Sequence, residues 1–273
     1  MGVPEGDTIH RAAARLRPAL EGRRLERFEA PRLTGPRPRT GERIDAVEAV
    51  GKHLLLRFDG GLTVRTHLRM TGSWHLYRHG EAWRKPRHLL RLLVGVDGWD
   101  AVCFSAPVVT SHPTAAEGGA SSPVARLGPD LCTAGAAAPE VVAECVALMD
   151  RWCDPDTPVG DVLLDQRCCN GVGNVYRCEV LWAERLHPLV PIGLVPQDLR
   201  HRLVATSGRL LRANLGRGDR TTVPGGLAVY GRAGRPCRRC GTAVRSDRAG
   251  DAARITYWCP TCQPVPSGAT LPA

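Results

Sequence analysis

Two Cys-X2-Cys knuckles, Cys237-X2-Cys240 and Cys259-X2-Cys262, stand 18 residues apart near the carboxyl end, and nothing else in this 273-residue chain restricts folding as tightly. Four thiols at that spacing close around one tetrahedral Zn2+, and the intervening residues are enough for a β-hairpin. A site with four protein ligands leaves no position for water, so the metal is expected to be structural. Its task would be to shape the loop that carries Arg245, Arg248 and Arg254. The spacing by itself fits a generic zinc ribbon equally well.

The other seven cysteines (Cys103, Cys132, Cys145, Cys153, Cys168, Cys169 and Cys178) lack ligand spacing and read as small core residues. No run of 18 apolar residues and no secretory signal is visible, so a soluble, cytoplasmic protein with reduced thiols and no membrane association is expected. The formal net charge is +10, and of the 37 basic residues all but Lys52 and Lys85 are arginine. Charge of that size points to a polyanion, most simply nucleic acid, although an arginine-rich solvated surface has the same composition.

Periodicity divides the chain. Ile9, Ala13, Leu16 and Leu20 share one helical face from Asp7 to Leu20, with Asp7 in the first turn and Gly22 as the stop. Short strands follow at Ile44–Val50, His53–Phe58, Leu62–Leu68, Trp74–Tyr77, Leu89–Val96 and Trp99–Phe104, with Asp59-Gly60-Gly61 as a hairpin turn. These predict a β-sandwich with helical flanks. Small, turn-prone residues between Ser111 and Pro123 read as a linker. Beyond them the period is helical, at Pro139–Trp152, Val175–Arg185 and Leu199–Leu210. Asn170-Gly171-Val172-Gly173-Asn174 opens the second of these and leaves backbone N–H groups suited to a phosphate; the plainer reading is a helix corner with Asn174 as N-cap.

The amino terminus carries Pro4-Glu5-Gly6-Asp7-Thr8. A proline with nothing before it is a secondary amine able to form an iminium with a sugar carbon, and a neighbouring glutamate can serve as acid. An amide-bonded proline can do neither. Met1-Gly2-Val3 precede Pro4 as the sequence is written. Valine codons include GTG, a bacterial start codon, so translation from Val3 followed by methionine removal would free the Pro4 amine. The expectation is therefore a native terminus at Pro4.

Together these segments resemble the formamidopyrimidine-DNA glycosylase and endonuclease VIII family of base-excision repair enzymes. The resemblance rests on Pro4-Glu5-Gly6, Gly51-Lys52-His53-Leu54-Leu55, His67-Leu68-Arg69-Met70-Thr71-Gly72, Arg126-Leu127-Gly128-Pro129-Asp130, Leu164-Asp165-Gln166 through Asn174, and Val229-Tyr230-Gly231 through Gln263. The motifs run in family order along nearly the whole chain, and Pro-Glu-Gly with Tyr257-Trp258-Cys259-Pro260 leans toward endonuclease VIII. The implied fold class is multidomain α+β: an N-terminal β-sandwich catalytic domain (1–112), a linker (113–122), a helix-two-turn-helix domain (123–220), a zinc finger (221–263) and a disordered tail (264–273). The implied function is a bifunctional glycosylase and AP lyase that acts, as a monomer, on damaged DNA bearing oxidised pyrimidines. A catalytically silent damage-binding protein of the same fold is the alternative.

The resemblance also assigns roles. Pro4 would attack C1′ while Glu5 protonates the sugar ring oxygen; Lys52 matches the lysine of β-elimination and Arg254 the arginine of δ-elimination. An amine exchanges protons near neutrality where a guanidinium does not, which gives a reason for a lysine at position 52. Arg126 and Asn174 match DNA-backbone contacts, as does His67, for which packing against strand neighbours is the plain alternative. Met70 matches the residue that fills the gap left by a turned-out base, against a plain core methionine. Two features depart from the pattern: Asp7-Thr8 stands where endonuclease VIII proteins continue Pro-Glu, and Cys103–Pro107 lacks the expected basic and aromatic wedge partners.

Overall fold

The computed structural model describes residues 3–119, 122–248 and 254–265. Met1, Gly2 and most of the expected tail, from residue 266 onward, lie outside the described residues. The described chain forms two compact units that divide at Arg126 and Leu127.

The first unit opens with α1, Gly6–Leu20. Eight strands follow: β1 Arg27–Glu29, β2 Ile44–Val50, β3 His53–Phe58, β4 Leu62–His67, β5 Ser73–Arg78, β6 Leu90–Val96, β7 Trp99–Phe104 and β8 Val108–Pro113. They pair antiparallel in two four-stranded sheets, ordered β1-β6-β7-β5 and β2-β3-β4-β8. Alternation decides which side chains meet between them: Leu54 and Leu56, with Val64, face Leu92, Val94, Ala101 and Cys103 in one core. The opposite face of the first sheet buries Leu93, Val102 and Phe104 against Tyr77 and Trp83. Helix α1 closes the sandwich by adding Ile9, Ala13, Leu16 and Leu20 to the main core. Its far end is tied to β2 where Arg17 Nε donates to the Val47 carbonyl at 2.8 Å and the Val47 N–H donates to Glu21 at 2.7 Å.

Strands β1 and β8 were not expected, and β8 ends on Pro113, the first residue of the expected linker. Its last residue, Pro113, pairs with Leu62, and Glu117 beyond it bridges Arg57 at 2.6 Å and His112 at 3.3 Å. His112 and Pro113 close an edge strand of the second sheet, a position that tolerates proline where an inner strand does not.

The second unit is built on α2 Pro139–Trp152, α3 Val159–Val162, α4 Asn174–Ala183 and α5 Gln197–Ala213, followed by the hairpin β9 Arg245–Arg248 and β10 Ile255–Trp258. Val142, Cys145, Val146 and Met149 of α2 pack with Tyr176, Val180 and Leu181 of α4 and Leu203, Val204 and Leu211 of α5. A second cluster joins Cys178 and Trp182 on α4 to Ala228, Val229, Cys237, Val244, Cys259 and Cys262, so α4 carries a core on each face. That explains its weak amphipathicity in the sequence, where nearly every residue from Val175 to Trp182 is apolar or buried. Among the described residues no helix is long and apolar enough to cross a membrane.

Candidate active site and nucleic-acid interface

In the first unit, Glu5 occupies the N-cap of α1 and is 1 % exposed, with its carbonyl accepting the N–H groups of Thr8 at 2.9 Å and Ile9 at 3.2 Å. Pro4, partly buried, is thus held one residue ahead of a packed helix. Asp7 is fully buried in the first turn and pairs with Arg11 at 3.8 Å. Lys52 lies in the β2–β3 turn, where Gly51 adopts φ +55°, a conformation that favours glycine.

His53 and His67 face each other across β3 and β4, with ring centroids 4.8 Å apart. Arg65 Nη1 lies 3.1 Å from His53 Nδ1, and the Arg69 N–H donates to His67 Nδ1 at 3.1 Å. A guanidinium can only donate, so both rings accept at Nδ1 and carry their proton on Nε2. Burial, then the neighbouring His67, Arg65 and Lys52 charges, push His53 down to about 3; burial, then Lys52 and the arginines, bring His67 to about 4.

Unfolded histidine titrates near 6.5, so as pH falls below that value the unfolded chain takes up protons that the folded chain excludes. Stability is therefore full above 6.5, falls as pH drops toward 4, and levels off below about 3, by about 1.4 kcal/mol per pH unit for each ring that stays neutral. Urea titrations at pH 7 and pH 5 are expected to show this loss, and His53→Gln to remove roughly half of the slope. A slope unchanged in His53→Gln would show that the rings are not its source.

Met70 is 73 % exposed, the most exposed of the large apolar side chains among the described residues. The core alternative for this methionine is therefore wrong. It follows Arg69, whose φ of +46° turns the chain outward between β4 and β5. Thr71 Oγ1 ties this turn to the Ser105 carbonyl at 3.1 Å. Arg126 is exposed at the boundary of the first unit.

In the second unit, Gly171 takes φ +101° and Gly173 is the N-cap of α4, so Asn174 is its first residue rather than its cap. The helix also starts one residue earlier and stops two residues sooner than expected, with Arg185 at φ +58° just past its end. Asn174 Nδ2 donates to the Ile255 carbonyl at 2.8 Å. That bond fixes the start of α4 to β10 directly beside Arg254, which is exposed together with Arg245 and Arg248.

Sulfur positions decide whether the four cysteines suit a metal. Tetrahedral zinc with bonds of about 2.3 Å requires sulfur–sulfur edges of about 3.8 Å. Cys240–Cys259 and Cys240–Cys262 are 3.5 Å apart and Cys237–Cys262 3.9 Å, and the four atoms all lie within 4.8 Å of one another. The set fits zinc. Around it, Trp182 Nε1 donates to Cys237 Sγ at 3.3 Å and the Cys262 N–H to Cys259 Sγ at 3.4 Å, bonds that stabilise thiolate sulfur.

Three family models match in chain order: the formamidopyrimidine-DNA glycosylase N-terminal domain over residues 3–106, the H2TH domain of the same glycosylase over 136–223, and the zinc finger found in FPG and IleRS over 234–265. The chain belongs to the formamidopyrimidine-DNA glycosylase family. It is 43% identical to "Probable endonuclease 8 2" of Streptomyces coelicolor, with 98% of each chain covered. With a DNA-(apurinic or apyrimidinic site) lyase of Mycolicibacterium smegmatis it shares 38% identity over 96% of this chain and 99% of that one. Among solved structures, the MutM (Fpg) protein of Thermus thermophilus matches with TM-score 0.76 and 28% identity, covering 95% and 98% of the two chains. Lactococcus lactis Fpg, solved with DNA containing an abasic site, matches in fold with TM-score 0.77 at 21% identity, covering 96% and 100%.

Within this glycosylase fold, sequence reasoning missed the polar groups that hold the finger to α4. Glu179 is 1 % exposed and its carboxylate accepts the N–H groups of Ala228 at 2.7 Å, Val229 at 2.9 Å and Tyr230 at 2.8 Å, and the Thr222 hydroxyl. Arg177, 2 % exposed, donates to Thr256 Oγ1 at 2.6 Å and pairs with Asp161 at 3.4 Å. Gln263 Oε1 accepts the Cys259 N–H and its Nε2 donates to the Leu186 carbonyl, both at 2.9 Å. Two charges on an otherwise apolar helix were the available signal.

Glu179→Ala would leave three buried N–H groups without an acceptor, at about 1–3 kcal/mol each. A loss of roughly 3–5 kcal/mol, with zinc retention at neutral pH impaired, is expected from combined denaturation and zinc-release measurements. A loss under about 1 kcal/mol would mean that water replaces the carboxylate.

Proposed function

We propose that this chain, a DNA glycosylase and AP lyase of base-excision repair, removes oxidised bases, chiefly pyrimidines, through a Schiff base on Pro4. The observation that carries the reading is the placement of Pro4-Glu5: a partly buried proline immediately before a buried glutamate that caps a packed helix. Nucleophile and acid need fixed relative positions, and α1 supplies the fixed frame. In this mechanism the Pro4 nitrogen attacks C1′ as Glu5 protonates the ring oxygen, the base departs, and elimination then breaks the strand on each side. Lys52 serves the β-elimination and Arg254 the δ-elimination.

Damaged DNA is the partner, bound by one protein molecule. Net charge of +10 supplies sequence-independent attraction to phosphates. Exposed Met70 fills the stack vacated by the turned-out nucleotide. His67 offers Nε2–H, and Arg126, Asn174 and Arg254 offer further donors, to the backbone. One zinc ion held by Cys237, Cys240, Cys259 and Cys262 would supply structural cross-linking of the finger and take no part in the chemistry.

Separation of the two steps tests the assignment. Glu5→Gln should lose base release from a duplex with an oxidised pyrimidine by at least about 100-fold, the range for a positioned general acid. It should still be trapped by borohydride on a preformed abasic site. Equal loss in both assays would place Glu5 elsewhere in the reaction. Asn174→Ala is expected to weaken damaged and undamaged duplex by similar factors with little change in salt dependence, since no cation is removed. A loss confined to one lesion would show that Asn174 reads the base.

A further inference from the structure

Two of the seven cysteines outside the finger are not inert filling. Cys153, the C-cap of α2, is partly exposed, and its Sγ lies 3.6 Å from Sγ of the fully buried Cys168. Cys168 Sγ also lies 3.6 Å from the Leu148 carbonyl oxygen on α2. Asp165 completes the cluster and holds Arg167 at 2.6 Å. The environments differ in the way a reactive pair requires. The contact with Cys168, helped by Arg167 and opposed by burial and Asp165, holds the Cys153 thiol below its ordinary value. The bond to Cys153, and then burial, push Cys168 well above its own. One sulfur is therefore the accessible nucleophile and the other a protonated neighbour within reach.

We propose that Cys153 and Cys168 form a peroxide-oxidisable dithiol that closes reversibly to a disulfide and weakens the grip of the Gly171–Asn174 turn on DNA. The oxidant is a hydroperoxide, most simply hydrogen peroxide. Cys153 releases its proton to solvent, and the thiolate attacks one oxygen of hydrogen peroxide. The O–O bond breaks, and the departing hydroxide takes up a proton from solvent to leave as water, with Cys153 now a sulfenic acid. Cys168 sulfur then attacks the Cys153 sulfur; the S–O bond breaks, the Cys168 proton joins the departing hydroxide, and a second water forms. Two thiols have lost two electrons and two hydrogens, and the peroxide has gained them.

Coupling to the turn follows from the hydrogen bonds around Cys168, and it rests on the reading of Asn174 as a backbone contact. A disulfide of about 2.05 Å draws the sulfurs roughly 1.5 Å closer than they stand. The N–H groups of Cys168 and Cys169 both donate to the Asp165 carbonyl, at 3.1 and 3.4 Å. Gln166 brackets the turn itself, donating to the Val172 carbonyl at 3.0 Å and accepting the Gly171 N–H at 3.2 Å. On the other side, Asn170 donates through Nδ2 to the Gly128 carbonyl at 2.7 Å. Space there is closed, since a Cβ on Gly128 would lie 2.6 Å from the Arg167 and Cys168 carbonyl oxygens. Movement of Cys168 therefore draws on bonds that lead to Gly171.

The test treats the zinc-loaded, full-length protein with a small excess of hydrogen peroxide, followed by alkylation under denaturing conditions and peptide mass mapping. The expected result is a peptide pair joining Cys153 to Cys168, lighter by two hydrogens and split by dithiothreitol. Cys168→Ser should accumulate Cys153 sulfenic acid, captured by dimedone, and Cys153→Ser should leave Cys168 unoxidised. Recovery of both thiols fully alkylated at a dose that oxidises Cys240, or pairing of Cys153 with another cysteine, would overturn the dithiol. With zinc content unchanged, the cross-linked protein should bind undamaged duplex roughly 2- to 30-fold more weakly, the range for coupling through a shared network. Affinity should return with dithiothreitol and stay constant in Cys153→Ser. Unchanged affinity in a fully cross-linked sample would overturn the coupling, while the Asn174→Ala measurement tests separately whether the turn meets the backbone.

Discussion

Chelation of zinc, and Cys240→Ser in the same way, are expected to reduce affinity for duplex DNA by at least about 100-fold while leaving residues 3–126 folded. The physical reason is the size of the finger's own core. Its buried apolar groups are Ala228, Val229, Val244 and the cysteines themselves, packed on Cys178 and Trp182 of α4. So small a cluster cannot offset the ordering of the surrounding chain, whereas zinc–thiolate bonding contributes about 10–16 kcal/mol in isolated fingers. Without it the β9–β10 pairing loses its anchor, Arg245, Arg248 and Arg254 lose their common frame, and the Asn174–Ile255 bond loses its partner strand. With each of these three arginines taken to hold one phosphate at about 1–1.5 kcal/mol, their loss gives the stated factor. Circular dichroism with a binding titration checks it; full affinity in zinc-free protein would show that the finger does not serve DNA binding.

Extension of the chain ahead of Pro4 is the second large effect. Protein beginning at Pro4 should be trapped on abasic DNA by borohydride, whereas protein retaining Met1-Gly2-Val3 should be trapped at least about 100-fold more slowly, because an amide nitrogen has no basic lone pair. Three extended residues also carry the substitute amine up to about 10 Å from the position that α1 defines. Efficient trapping of the longer form would move the nucleophile away from Pro4.

Much of the fold was legible because its signals are local. Alternation marked six strands within a residue or so, and the spacing of four, three and four residues between Ile9, Ala13, Leu16 and Leu20 marked α1, since each depends only on which face of one element is buried. Strand β1 is three residues long, too short for alternation to register, and β8 carries His112-Pro113 at a sheet edge. Residue type and spacing grouped the four cysteines, whose sulfurs the structure brings together, and drew attention to Pro4-Glu5 as a proposed pair. What could not be read were pairings across long separations. Glu179 meets backbone groups 49 to 51 residues away and Arg177 a hydroxyl 79 away, and nothing near either residue names the partner. The Cys153–Cys168 contact was hidden for the same reason, as each cysteine taken alone is ordinary core. Met70 could be read either way from sequence; only the outward turn at Arg69 exposes it.

The central claim is that Pro4 is the nucleophile, and the most direct measurement is peptide mapping of the borohydride-trapped complex formed by protein beginning at Pro4 on a duplex with an abasic site. The expected result is one adduct, with the reduced sugar on the amino-terminal peptide that starts Pro4-Glu5-Gly6, and none from Pro4→Ala. An adduct on the peptide containing Lys52, or one that persists at full yield in Pro4→Ala, would contradict the proline mechanism.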